Sequence, residues 1–132
     1  MSCSTSNICT SKKHILKEPI DLAIKNNVKL KGKYCFNRFE SRNNLSDKAI
    51  VKGYVVSRNE GNPLKAVINI DKELKLGAIS DVEGYYETII EPGNYQIETI
   101  SIGKPKLVTK KISIGENEIL ELNFFLGEEK VE

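Results

Sequence analysis

Over the last two thirds of this chain, apolar and polar residues alternate with a period of two, and turn-forming residues break the alternation at short intervals. The first such run is 49–57, where Val51, Val55 and Val56 favour a strand and Gly53 marks a close backbone approach or a bulge. Asn59-Glu60-Gly61-Asn62-Pro63 turns the chain into 67–70, and Asp71-Lys72-Glu73 turns it into 74–78. After Ser80–Gly84 comes a strand at 85–90, closed by Glu91-Pro92-Gly93-Asn94. Tyr95, Ile97 and Thr99 alternate with Gln96 and Glu98, and Gly103-Lys104-Pro105 leads into 107–114. Gly115-Glu116-Asn117 precedes Leu120, Leu122, Phe124 and Leu126. The pattern predicts seven strands, no helix of useful length, and an all-β domain over 49–127 followed by an acidic tail at 128–132. A single sheet would leave its apolar face in water at about 25 cal/mol per Å², so the strands are expected to close into two packed layers.

Residues 1–48 have a different texture. Residues 1–19 are polar and lysine-rich and read as disordered or as a tether. Ile20, Ala23 and Ile24 have helical spacing that Asn26-Asn27 breaks, and Val28, Leu30, Tyr34 and Phe36 suit an extra edge strand. Residues 41–48 read as a linker. Charge divides at the same place: ten Lys/Arg against four Asp/Glu before residue 49, ten against fourteen after it. A basic extension before an acidic domain suits contact with an anionic surface, or a plainly solvated tail. No run nears the ~20 apolar residues of a spanning helix.

All three cysteines, Cys3, Cys9 and Cys35, lie in this extension. Met1-Ser2-Cys3-Ser4-Thr5-Ser6-Asn7 resembles the mature start of a bacterial lipoprotein, with Cys3 as the lipidation candidate; an ordinary polar start is the alternative. An odd count leaves one cysteine over from any pairing; with Cys3 lipidated, Cys9 and Cys35 remain to form one disulfide in an oxidising compartment. There is no Cys-x-x-Cys and His14 is the single histidine, so the close-spaced ligands of a zinc site are missing.

The order of short motifs resembles the carboxypeptidase regulatory-like, or transthyretin-like, domain family. The matching residues are Gly53, Pro63-Leu64, Ala66-Val67, Gly77, Asp81 with Gly84-Tyr85-Tyr86, Pro92-Gly93-Asn94-Tyr95, Ile102-Gly103, and Leu120, Leu122 and Leu126. The match covers about 80 residues, from 50 to 127. Ala78 and Ser80 stand where the family has threonines, and Lys104-Pro105 replaces an aromatic. The resemblance implies a seven-stranded antiparallel Greek-key β-sandwich of transthyretin or immunoglobulin type, and a module without catalytic machinery.

The motifs have their own mechanics. The Asp81 carboxylate can accept backbone N–H groups two or three residues on, while Gly84 takes positive φ. Pro92-Gly93 predicts a type II turn, and Tyr95 predicts a ring in the core with its hydroxyl returned to nearby backbone. Tyr85 and Tyr86 are adjacent, so one must face outward, and the pair is a candidate contact surface.

Other chemistry is poorly served. Asp71, Asp81 and Glu83 offer too few oxygens for calcium and read as turn formers. A triad would have to recruit His14 from the extension. The acidic sandwich half lacks the basic, aromatic face of a nucleic-acid binder. No catalytic residue, cofactor or metal is expected. The reading is a binding or scaffolding module of a bacterial envelope, periplasmic or at the outer membrane, with a membrane tether through its N-terminus. In the family such modules sit on peptidases and on outer-membrane receptors, and a sheet edge that accepts a partner strand is one binding mode. The alternatives are a structural spacer and an accessory protein folding against an envelope enzyme or an outer-membrane receptor.

Overall fold

The computed structural model describes Ile8, Cys9 and residues 30–128. Ten strands form there: β1 (Lys33–Glu40), β2 (Ala49–Ser57), β3 (Val67–Asp71), β4 (Leu76–Ile79), β5 (Tyr85–Ile90), β6 (Gly93–Tyr95), β7 (Glu98–Ile100), β8 (Leu107–Val108), β9 (Ile112–Ile114) and β10 (Glu118–Leu126). They make one four-stranded sheet in the order β1-β10-β2-β5, a second in the order β4-β3-β7-β8, and a small sheet of β6 and β9. The fold is an all-β sandwich. Alternation explains the layering. Val51, Val55, Leu120, Leu122, Phe124 and Tyr86 line the inner face of the first sheet, and Ile68, Ile70, Ile97 and Leu107 come from the other side. Each strand contributes every second side chain to one shared core.

The structure differs from the seven-strand expectation in two ways. First, the sequence runs 95–99 and 107–114 are each split in two, and the first of the pieces begins early, at Gly93. Thr109 donates its N–H to the Ile97 carbonyl (2.9 Å) and accepts the Ile97 N–H on its hydroxyl (3.0 Å). That side-chain bond closes the ladder at the point where both passages leave the second sheet, and β6 and β9 then pair with each other. Second, one pairing is not antiparallel: β2 and β10, the central strands of the first sheet, run parallel, with Val51 beside Leu120 and Val55 beside Phe124. Period-two burial fixes the face of a strand but not its direction, so this was invisible to patterning. The extra edge strand expected ahead of residue 49 lies at 33–40, and Leu30, assigned to it, falls outside it. β1 pairs antiparallel with β10, and Phe36 and Tyr34 pack on the core. Val28 and the helical spacing at Ile20, Ala23 and Ile24 lie outside the described residues.

The β2–β10 ladder is interrupted at Gly53 and Tyr54. There the Asn123 carboxamide oxygen accepts the Tyr54 N–H (2.9 Å), and the buried Tyr86 hydroxyl donates to the Leu122 carbonyl (2.6 Å). These bonds satisfy main-chain groups that the interrupted ladder leaves in a dry interior. On the outer side of the same sheet, Asn123 approaches Cys9 (Nδ2 to Sγ, 3.4 Å), and a disulfide joins Cys9 to Cys35 of β1. Ile8 forms a parallel bridge to Phe36, so residues 8 and 9 cover part of the free edge of β1.

Candidate binding surface

The chain turns from the second sheet to the first at Asp81–Gly84. Asp81 Oδ1 accepts the N–H groups of Glu83 (2.9 Å) and Tyr85 (3.0 Å), and the Gly84 N–H returns to the Asp81 carbonyl (2.9 Å). Gly84 sits at φ 81°, in the left-handed region that favours glycine. This corner fixes β4 as one edge of the second sheet and so sets the outward face beside it.

Register then builds that face residue by residue. Val67 lies between Ile79 on β4 and Ile100 on β7, and Asn69 lies between Gly77 and Glu98, with Val108 beyond. Ile79, Val67 and Ile100 thus form an apolar row across three strands, 64%, 41% and 40% exposed. A depression of about 410 Å³ opens beside Gly77, with Lys72 and Lys75 among the residues that line it. An outward row of β-branched residues on a folded sheet marks a contact surface more often than scattered single exposures do.

Beside this row, on the same face, sits Glu98, buried although it points outward. Lys72 (2.7 Å) and Lys106 (3.3 Å) hold its two oxygens. Burial pushes the Glu98 carboxyl up, but the bonds from Lys72 and Lys106 outweigh it, and the group lies below its ordinary value of 4.5. A lowered folded value stabilises above the unfolded value and is lost as pH falls through the folded one. Glu98→Gln is therefore expected to cost about 1 kcal/mol at neutral pH, with the two exposed lysines limiting the effect. The difference from the unmodified chain should close as pH falls below 4.5 and through the lowered folded value. Denaturant midpoints of both proteins across that range check it.

A family model for the CarboxypepD_reg-like domain matches residues 51–132. The chain belongs to this family. Comparison with the curated proteins finds no match. CarboxypepD_reg-like domains are of a regulatory, non-catalytic type. In this CarboxypepD_reg-like chain, two of the three carboxylates considered for calcium are engaged by backbone: Asp71 Oδ1 accepts the N–H groups of Glu73 (3.1 Å) and Leu74 (3.2 Å), as Asp81 does in its own turn, while Glu83 is exposed. Among the described residues no three His, Cys, Asp or Glu side chains gather as a metal site. His14 and Cys3 lie outside the described residues.

Two sequence expectations are corrected. Tyr86 is not part of a contact surface. Its ring fills the core 6.3 Å from that of Phe124, and burial pushes its hydroxyl well above the ordinary value. Tyr85 takes the outward position, stacks edge-on against Tyr54 (5.3 Å) and donates its hydroxyl to Glu87 (2.6 Å). Nor does Pro92-Gly93 form a type II turn. Gly93 is outside the left-handed region and opens β6, with the Tyr95 ring 3.5 Å from where a Cβ would stand. The Tyr95 hydroxyl donates to the Glu91 carbonyl (2.6 Å) and so closes that corner itself.

The departure at Lys104 has a structural role. Its stem is buried, and its ammonium pairs with Glu128 and reaches Ser57 Oγ (3.4 Å). The apolar row and the Glu98 pair went unread in the sequence. Val67, Ile79 and Ile100 are each ordinary strand residues, and only register brings them side by side.

Proposed function

We propose that this CarboxypepD_reg-like chain is a non-catalytic binding and scaffolding module of a bacterial envelope, and that it meets its protein partner through the outer face of the second sheet. The observation that carries this reading is the exposed row Ile79–Val67–Ile100 beside the depression at Gly77. Membership of a regulatory domain family supports a role without chemistry, and the Cys9–Cys35 disulfide suits an oxidising compartment. Cys3 is the candidate lipid anchor, which the mass of the natural protein tests.

Retention of a partner from a detergent-solubilised envelope fraction tests the surface. The unmodified chain should retain one defined protein. Ile79→Glu and Ile100→Glu should each weaken retention by about tenfold or more, because a buried unpaired carboxylate is costly at a contact. Val82→Glu, at an exposed corner off the row, should leave retention unchanged. A chain that retains nothing reproducibly is a spacer, and this reading fails.

A further inference from the structure

The edges of the two main sheets differ in protection. Ile8, Cys9 and the disulfide cover part of β1. β8 has two residues, and β4 has four with a register shift against β3. β5 is six residues long, Tyr-Tyr-Glu-Thr-Ile-Ile, with no Pro or Lys to guard it.

Backbone groups alternate along β5. The Val55 N–H bonds the Gly84 carbonyl (2.8 Å), and Gly53, Val51 and Ala49 face Tyr86, Thr88 and Ile90. Alternation in an antiparallel ladder turns the backbone groups of residues 86, 88 and 90 toward β2, and those of 85, 87 and 89 away from it. Tyr85 engages both of its groups within the molecule, its N–H with the Asp81 carboxylate (3.0 Å) and its carbonyl with the Asp81 N–H (2.9 Å). Glu87 and Ile89 remain, and both are exposed, Ile89 at 59%. Each directs one N–H and one carbonyl outward.

We propose that this edge pairs with the same edge of a second copy of the chain, joining two four-stranded sheets into one continuous sheet. The edge is self-complementary. With the twofold axis at Thr88, Glu87 lies opposite Ile89 of the second copy and Ile89 opposite its Glu87. Two donors and two acceptors on each side then meet in four N–H···O=C bonds. No carboxylate faces its own image, and Lys52, across from Glu87 on β2, offsets its charge. The Asp81 corner ends the pairing at Tyr85, which keeps the association short and weak. This contact is separate from the face of the second sheet and stands or falls without it.

Sedimentation equilibrium of the full chain from about 10 µM to 1 mM tests the dimer, a range chosen for a weak contact. The mass should rise toward two copies with a Kd in that range. Ile89→Lys and Ile89→Pro should each weaken it by about tenfold or more. The Ile89 N–H points away from β2, so proline there leaves the β2–β5 ladder intact. Circular dichroism confirms the fold of each variant, and should the proline variant fail to fold, the lysine variant decides. In the unmodified chain the Glu87 and Ile89 amides should gain hydrogen-exchange protection with concentration. A monomer at 1 mM, protection independent of concentration, or a dimer that survives Ile89→Lys overturns the proposal. So does a dimer that only Ile79→Glu dissociates, since that contact would lie on the second sheet.

Discussion

Gly53→Ala is expected to lower the stability of this domain by about 3 kcal/mol or more, a large share of the ~5–15 kcal/mol typical of small proteins. A Cβ at position 53 would stand 1.8 Å from the Leu122 carbonyl oxygen and 2.6 Å from its carbon. Both contacts are backbone, in the central strand pair of the first sheet, so no side-chain rotation relieves them. β2 is held on its other side by β5, where Gly53 faces Tyr86. Moving it outward would break the Tyr86–Leu122 and Tyr54–Asn123 bonds together. Gly103→Ala is the control. Gly103 has φ 81° but nothing within 4 Å of a Cβ, so it should cost about 1 kcal/mol, from conformation alone. Urea unfolding of the three proteins, with unchanged slopes, measures both differences. Equal losses at the two positions would show that crowding at Leu122 is not the cause.

Removal of the disulfide should have an effect of similar size. Cys9 and Cys35 are 26 residues apart, and the loop-closure estimate for a link of that span is about 3–4 kcal/mol. Without the link, residue 9 is held by its N–H bond to the Phe36 carbonyl of β1 (3.3 Å) and by its side-chain contact with Asn123 of β10. The double variant Cys9→Ser with Cys35→Ser should therefore unfold at lower urea. Dithiothreitol should lower the midpoint of the unmodified chain toward that of the variant and leave the variant unmoved. A midpoint indifferent to reductant in both proteins would show that the link adds nothing to the folded state.

Much of the sandwich was legible because its signals are local. Alternation at Leu120, Leu122, Phe124 and Leu126 reports one buried face whichever strand lies beside it. What was not legible depends on partners far away in sequence. The parallel pairing of β2 with β10 joins segments about seventy residues apart, and nothing in either segment records direction. The sheet change at Ile97 and Thr109 rests on one hydroxyl replacing a main-chain acceptor, in runs whose alternation continues almost unbroken. Asn123 reads as a solvent-facing residue of β10, yet it is fully buried, because the ladder beside Gly53 needs an acceptor there. Tyr85 and Tyr86 could not be ordered until register placed Tyr86 opposite Gly53, where only an inward ring fits. The surface at Val67 follows the same rule: three unremarkable side chains become a site only through the pairings of β3 with β4 and β7.

The surface role is tested most directly by a photo-crosslinking residue placed at position 79 of the chain in its native cells. A single discrete adduct should form at this position, and Val67→Glu in the same protein should abolish it. An adduct no stronger than that from position 116, an exposed loop residue away from the row, would contradict the assignment of this face as the partner's seat.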